Sequence, residues 1–580
     1  MTHPQQPDIR DLGIIGDQKT CALVDKKGTI AWYCPERFDS PALCSLLLDE
    51  EKGGYWALET GATFAGRKYL EESCVLETEY TLDSEQFTLT DWMPYGTDES
   101  KQGICRLTSP APQALTHRLR LRADYGLKGI ILNRVNENSV RISGQDSTYT
   151  LASSHPIVIA ESFMTCSIPA GQTGWVYLAT SEDSTDGVSE ETIRQSLTET
   201  LAQWKEIFGM FSYEGIYREQ MFNSCRAICL MTHKPSGGIV AAATTSLPEG
   251  FGNGRNYDYR YVWLRDAAMI VSAHLRAIGM TGAAVDFLGF LCSARTSNED
   301  IRIMPFYDLD RNVAETLKEL PLKGYKNESP VVKGNGANEQ LQLDANANVL
   351  LAAKQIYSQL DEKPNWETVR IIADFLAENW QKKDHGIWEE HVEEHFTSSK
   401  VVAAKGLEFI AESAETEEQA TKWRKAAREI RRFVAEHCLT DRGAYAVYAG
   451  SQNVDVTAAL FPVWLYGEPD SPEMIATMQE IENVLKEGEL YHRRLEQFDS
   501  AKEGVFLAGS LWVAQYYIMC NDLEKARSII DAALKYANDL GYMAEEGHVP
   551  TGEMMGNFPQ TFVHASLMGV LVDLNVEVKK

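Results

Sequence analysis

Trp388-Glu389-Glu390, within the run Asp384-His385-Gly386-Ile387-Trp388-Glu389-Glu390, sets two adjacent carboxylates beside an indole in a glycine-containing loop. An apolar neighbour and a like charge both disfavour ionisation, so one of these glutamates can keep its proton near neutral pH and donate it. A solvated acidic turn has the same composition, and Glu393 and Glu394 follow closely. A second acidic loop, Gly541-Tyr542-Met543-Ala544-Glu545-Glu546, precedes Thr551-Gly552-Glu553 and Gly556-Asn557-Phe558-Pro559-Gln560. The plain alternative there is a helix end followed by a charged turn. Two carboxylate loops on separate connections are what glycosidic hydrolysis requires, since one acid protonates the leaving oxygen and a second carboxylate activates water or attacks.

The third segment is Arg255-Asn256-Tyr257-Asp258-Tyr259-Arg260-Tyr261-Val262-Trp263-Leu264-Arg265-Asp266. Aromatic rings stack on pyranose faces, and Arg and Asp bind vicinal hydroxyls through paired hydrogen bonds. An Arg–Asp ion pair packed among aromatics is an equally good reading of the same residues. Cofactor motifs do not stand out. There is no Walker loop, and Gly250-Phe251-Gly252-Asn253-Gly254 does not give GxGxxG between a strand and a helix. Cys225 and Cys229 lie one turn apart without histidine partners at ligand spacing, which points to buried thiols and no metal.

These loops need a large scaffold. The chain has 580 residues, beyond the size at which single cores stop growing, with 44% hydrophobic and 24% charged residues. A net charge of −28 and the lack of any Lys/Arg-rich run argue against nucleic acid and anionic membranes as partners. No uninterrupted apolar run reaches the roughly 18–20 residues of a membrane span. Met1–Arg10 is polar, and the eleven cysteines show no paired spacing, so the expected location is the cytoplasm.

The first third reads as strand. Thr20–Val24 and Thr29–Cys34 flank the turn Asp25-Lys26-Lys27-Gly28, and His117–Tyr125 alternates Leu119 and Leu121 with arginines. Ile157–Phe163 and Trp175–Thr180 are further short runs, separated by Pro169-Ala170-Gly171. Many short strands with turns between them predict an antiparallel β-sandwich over residues 1–190. A linking helix is expected within 191–215, over Thr192–Phe208. After it, the 3.6-residue period predicts twelve helices near 217–233, 261–278, 281–296, 338–359, 366–382, 399–412, 416–439, 454–466, 471–487, 506–520, 523–540 and 560–575. Ser471-Pro472-Glu473 and the capping box Thr416-Glu417-Glu418-Gln419 mark two of the starts. Twelve helices in pairs over 216–580 suit six αα-hairpins closed into a ring, although a solenoid or bundle reads similarly.

At the three chemical segments the sequence resembles glycoside hydrolase family fifteen, the family of glucoamylases, glucodextranases and some bacterial trehalases. The resemblance covers nearly the whole chain. It begins at Asp8-Ile9-Arg10-Asp11-Leu12-Gly13-Ile14-Ile15-Gly16-Asp17 and continues through Ile239–Glu249 and Arg255–Asp266. It then takes in Gln340-Leu341-Gln342-Leu343-Asp344, Gly386-Ile387-Trp388-Glu389 and Gly552–Gln560. The resemblance implies an N-terminal antiparallel β-sandwich followed by an (α/α)6 barrel, and exo-acting hydrolysis of α-glucosides with inversion. It places Glu389 at the general-acid position and Glu545 at the general-base position. It also gives Arg265 and Asp266 to the terminal glucosyl ring, lines that pocket with Trp263, Trp388 and Glu390, and offers Arg493 as a second sugar-binding arginine. In this arrangement Glu390 and Trp388 would keep Glu389 protonated. Inversion needs room for water, so the two carboxyls should stand roughly 6.5–9.5 Å apart.

Three departures mark this chain. Most family members continue Ile-Asp-Pro after the second acid pair, whereas here Gly547-His548-Val549-Pro550 has one residue more, which leaves Glu545 and Glu546 both open as the base. Val332-Lys333 stands where many have an arginine, and Asp344 leads into Ala345-Asn346-Ala347-Asn348, which puts amides near the barrel mouth. The expected partner is a small carbohydrate, with no cofactor. An α,α-trehalase needs the same acid, base and glucosyl pocket and is the alternative. An inverting phosphorylase should lack the base, so Glu545 argues against it. A carbohydrate-binding protein without catalysis, on the same scaffold, is the reading from another class.

Overall fold

The computed structural model describes residues 4–96, 102–144, 147–180, 187–294, 304–494 and 503–579. The strands of the first third form two eight-stranded antiparallel sheets. One runs Gly13–Gly16, Cys21–Val24, Ile30–Tyr33, Tyr55–Glu59, Leu115–Arg120, Met164–Ile168, Ile157–Ile159, with Cys44–Ser45 alongside Ile30–Tyr33. The other runs Ile131–Asn136, Ser139–Ser143, Thr148–Ser153, Gly174–Ala179, Gly103–Thr108, Glu85–Trp92, Leu76–Leu82, Thr63–Tyr69. Strand Leu115–Arg120 alternates buried and half-buried residues as its sequence requires. In the Asp25–Gly28 turn, Asp25 Oδ1 accepts from the Lys27 and Thr29 amides, and Gly28 takes φ 76°, a backbone only glycine adopts freely. The sheets are tied through Arg106. It pairs with Asp91 (2.7 Å) on its own sheet and donates to the carbonyls of Gly28 (2.7 Å) and Trp56 (3.3 Å) on the other.

Helix α1 (Glu190–Phe208) follows, and α2 (Arg218–Met231) opens the helical part. The rest are α3 (Ala267–Ser272), α4 (Thr281–Ser293), α5 (Leu343–Tyr357), α6 (Trp366–Asn379), α7 (Thr397–Ile410), α8 (Glu417–His437), α9 (Pro472–Val484), α10 (Leu507–Met519), α11 (Leu523–Leu534) and α12 (Thr561–Val578). A 3₁₀ segment, Val456–Leu460, takes one helical place between α8 and α9. The inner ring is α3, α5, α7, Val456–Leu460, α10 and α12, and α12 packs back against α3 to close it. The fold is an (α/α)6 barrel.

Burial separates the two rings. The first ten or so residues of α5, α7 and α10 are buried on every face, as are Thr561–Met568 of α12. Outer helix α8 instead buries only Ala420, Trp423, Ala426, Ala427, Ile430 and Val434, one stripe at three- and four-residue spacing. Among the described helices α12 is the one long and apolar enough to cross a membrane, and it is mostly buried as one of the inner helices of this ring. Ser471 caps α9 ahead of Pro472 as expected. Thr416 accepts from the Gln419 amide, but the Gln419 side chain reaches Glu415 N, so only half of the expected box forms.

Two expected helices fall short. Over 261–278, Val262–Trp263 is a short strand paired with Phe306–Tyr307, and α3 begins only at Ala267. Tertiary pairing overrides the apolar spacing there and leaves Arg265 and Asp266 in irregular backbone. Over 454–466, the 3₁₀ turn ends before Pro462, which cannot donate to a continuing helix. All eleven cysteines are free thiols, ten of them buried, including Cys225 and Cys229.

Sandwich and barrel share one continuous core. Trp32 Nε1 donates to Ala243 O (2.8 Å), Asn538 Nδ2 to Leu12 O (2.7 Å), and Arg226 Nε to Ser73 O (2.9 Å). At the centre of this seam Arg260, fully buried, binds both oxygens of Asp258 (2.8 and 2.7 Å) and donates to Ser40 O (3.1 Å). Its guanidinium lies over the rings of Trp32 and Tyr125. Arg260→Met leaves Asp258 buried without its cation and should lower stability by about 3–5 kcal/mol in urea unfolding, whereas Arg260→Met with Asp258→Leu should lose clearly less.

Candidate active site

The connections that lead into the inner helices converge on one mouth of the barrel. They carry Glu249–Asp266 before α3, Asn335–Gln342 before α5, Asp384–Phe396 before α7, Asp455, Arg493, Arg494 and Glu503–Phe506 before α10, and Glu545–Gln560 before α12. A pocket there is lined by Tyr259, Trp263, Trp388, Glu389, Glu390 and Arg493, together with Arg255, Asn335, His391 and Arg494.

Glu389 sits in a tight loop closed by the paired backbones of Asp384 and Glu394 (2.9 Å each way). Its own φ is 52°, left-handed for a side chain that bears a Cβ, a conformation that costs about 1 kcal/mol or more and is kept where the surroundings enforce it. Gln340 Nε2 holds its carbonyl (3.2 Å), and Arg265 Nη1 donates to its carboxylate. The same Arg265 nitrogen donates to Ile387 O (2.6 Å), while Arg265 Nε meets Asp266 (3.1 Å). Arg265 and Asp266 are therefore built around the Glu389 loop. Burial raises the pKa of Glu389; Arg265 and Arg493 oppose this, and Asp266 and Glu249 reinforce it.

Glu390 behaves differently from expectation. Its carboxylate turns to Arg494, and the like charges acting most strongly on Glu389 are Asp266 and Glu249. Burial pushes Glu390 itself up to about 7 against the pull of Arg494. Trp388 is anchored by Nε1 donation to Asp455 Oδ2 (2.6 Å) and by stacking on Trp512 (centroids 6.1 Å, 18°). Trp263 packs against Phe306 at 4.5 Å.

Glu545 and Glu546 part company at the start of a short strand. Glu546 lies in that strand, opposite Phe506 and Met555, and its carboxylate accepts from Gly504 N (2.8 Å) and faces Arg493 (3.2 Å). Glu545 points toward Tyr259, whose hydroxyl is 3.3 Å from Oε1; Oε2 has no hydrogen-bond partner in the protein. Burial raises Glu545 well above the ordinary range, helped by the charge of Glu249. A Cβ at Gly556, φ 83°, would stand 2.9 Å from Glu545 Cβ, so glycine is what admits this side chain.

Sequence reading gave no role to Glu249, Asp455, Arg494 or Glu503, and took Arg255 only as part of the sugar-binding run Arg255–Asp266. Glu249 is fully buried, accepting from Tyr259 (2.9 Å), Arg493 (2.8 Å) and Arg255 (3.4 Å). Glu503 pairs with Arg255 and Arg493, 2.8 Å each. Asn346 and Asn348, in the first turns of α5, donate to the carbonyls of Gln342 and Asp344, and neither is among the residues that line the pocket. Lys333 pairs with Glu315 (2.9 Å) away from the pocket.

Residues 215–523 and 518–572 match the pattern of glycosyl hydrolases family 15, and residues 2–159 match the trehalase-like N-terminal domain. The chain belongs to glycosyl hydrolase family 15. It is a glycoside hydrolase. It is 29% identical to trehalase 1 of Sulfolobus acidocaldarius over 579 residues, covering 98% of this chain and 99% of that one. With the trehalase of Mycolicibacterium smegmatis it shares 26% over 612 residues, 98% and 91% of the two chains. A crystal structure of a bacterial glucoamylase complexed with acarbose superposes with a TM-score of 0.73 at 13% identity, over 99% of this chain and 95% of that one. That likeness establishes the fold of the family 15 enzyme over both of its parts.

Gly556→Ala should lower turnover of α-glucosides at least tenfold by displacing Glu545, while thermal unfolding shifts by only a few degrees. Unchanged turnover would show that Glu545 does not need this close approach.

Proposed function

We propose that this family 15 enzyme hydrolyses α,α-trehalose with inversion, Glu389 acting as general acid and Glu545 as general base. The observation that carries the reading is the shared pocket. Glu389 opens into it under the hold of Arg265, and Tyr259, which touches Glu545, forms another wall. Arg265, Asp266 and the rings of Trp263 and Trp388 hold the glucosyl ring that is attacked. Beyond it, the Glu390–Arg494 and Arg255–Glu503 pairs offer hydroxyl-binding groups to a second hexose. The trehalases that match this chain almost from end to end support that choice.

Glu389 gives its proton to the glycosidic oxygen as the C1–O bond breaks. Glu545 takes a proton from the water that adds to C1 from the other face, so each trehalose yields one β- and one α-glucose. The cycle closes when Glu545 returns its proton to solvent and Glu389 regains one. Activity falls on the acid side as Glu545 is protonated and on the alkaline side as Glu389 ionises. Both carboxyls are raised, so the bell lies above that of ordinary carboxylates. Eleven free thiols, ten of them buried, support a reducing compartment, and the reading adopted is the cytoplasm.

Purified protein incubated with trehalose, maltose, isomaltose and maltotriose, followed by NMR of the released anomers, tests the reading. Trehalose should be cleaved fastest, with β-glucose in the first burst of product. Preference for maltotriose or release of α-glucose alone would overturn it. Glu389→Gln and Glu545→Gln should each lower kcat by about 10²–10⁴, and Glu546→Gln by much less.

A further inference from the structure

The carboxyl that the mechanism leaves unused is Glu249, the last residue before the loop that carries Tyr259 and Arg265. Its surroundings are unequal to those of Glu545. Glu249 Oε2 takes Arg493 (2.8 Å) and Arg255 (3.4 Å), and its Oε1 is 2.9 Å from the Tyr259 hydroxyl. Glu545 Oε1 reaches the same hydroxyl at 3.3 Å, and its Oε2 has no partner in the protein. A phenol carries one hydrogen, so it can serve only one of two carboxylates at a time. The shorter contact assigns it to Glu249.

We propose that Glu249 is a positioning residue for Glu545: it occupies Tyr259 and Arg493, the groups that could otherwise neutralise the base, and keeps that base strong. Glu545 is faced by Glu249, Tyr259 and Arg265 from the segment before α3, by Arg493 from the connection before α10, and by Glu546 beside it. Of these, Glu249 is the acid in direct contact with it, and it is tied to Arg255 and Arg493. Burial would raise Glu249, yet Arg493 and Arg255 bring it below the ordinary range, whereas burial and the charge of Glu249 raise Glu545 well above it. A fixed negative charge beside a desolvated carboxyl makes that carboxyl a better proton acceptor. Arg493 keeps the same carboxyl from being permanently protonated, since it opposes both burial and Glu249.

The inference rests on Glu545 being the base, and two measurements separate its failure from that of the reading. In the first, protein labelled with ¹³C at the glutamate carboxyls is titrated without substrate, and the Glu545 signal is identified by its loss in Glu545→Gln. Glu249→Gln should lower the midpoint of that signal by about one to two pH units. Arg255→Gln, which strips Glu249 of one cation, should move it upward. Opposite shifts are a signature that mere loosening of the loop cannot produce, and Glu249→Asp should restore most of the wild-type value. In the second, the acid limb of kcat/KM on trehalose should follow the same order, with kcat in Glu249→Gln reduced tenfold or more and KM changed little. An unmoved Glu545 midpoint in Glu249→Gln, or shifts of the same sign in both variants, overturns the inference whatever the enzyme hydrolyses. Correct shifts with no hydrolysis of any α-glucoside overturn the reading and leave the electrostatic pairing standing.

Discussion

Arg493 is the charge around which the barrel mouth is assembled. Its guanidinium is 4% exposed and lies within 3.2 Å of Glu249, Glu503 and Glu546, which come from three stretches of chain. It also covers the faces of Trp388 and Phe506. A lone buried cation would be expensive, and so would any of these acids alone. Together they are tolerable, but the sum is not neutral. With Glu545, four carboxyls meet two arginines, Arg255 and Arg493. The surplus falls on the carboxyl with the fewest partners, which is Glu545. Excess negative charge in a desolvated place is therefore a consequence of the packing, and it is the condition a base needs.

The fold supplies the setting in which that surplus is bearable. The described inner elements start at this mouth, so their unpaired amides and the positive ends of their dipoles face the acids. Leu507 N at the start of α10 bonds Glu545 O (3.2 Å), and Leu343 N at the start of α5 bonds Asp384 (3.1 Å). The sandwich holds the same mouth from the side. Arg260 and Asp258 lock the aromatic segment to the first sheet, and Asp258 also accepts from Gly334 N (3.2 Å) in the loop before α5. Tyr259, between them in sequence, is thereby fixed next to both Glu249 and Glu545.

Much of this was legible in the sequence, for a physical reason. Helices that bury one stripe and strands that bury one face carry their period in the chain, so the sandwich, α8 and α9 could be read directly. In the two misread segments, 261–278 and 454–466, the strand pairing of Val262–Trp263 and the proline at Pro462 override the apolar spacing. At the site, Glu389 and Arg265 stand in dense local motifs of rings and charges. Glu249 follows Leu247-Pro248 with no such company, and its meaning comes from an arginine 244 positions away. Arg494 and Asp455 were hidden in the same way, since each acts on the Trp388–Glu390 run from a distant connection. Telling Glu545 from Glu546 needed the strand, because its pairing sets Glu546 opposite Phe506 and Met555 and leaves Glu545 beside Tyr259.

That alternation has a counterpart on the acid side. Trp388, Glu389 and Glu390 are consecutive, yet one is anchored on Asp455, the next on Arg265 and the third on Arg494. A regular strand would send the first and third to one face, and a helix would fan all three from one cylinder. A residue at φ 52° between them breaks the pattern and lets each take its own partner. The cost of the left-handed backbone is met by Gln340 on the Glu389 carbonyl and by Arg265 on both the carboxylate and Ile387 O. Strain at this position is thus the local condition for separating Glu389 from Glu390. Had the two adjacent glutamates shared a face, each would have raised the other. Separated, Glu389 is governed by burial against Arg265 and Arg493, and Glu390 by burial against Arg494.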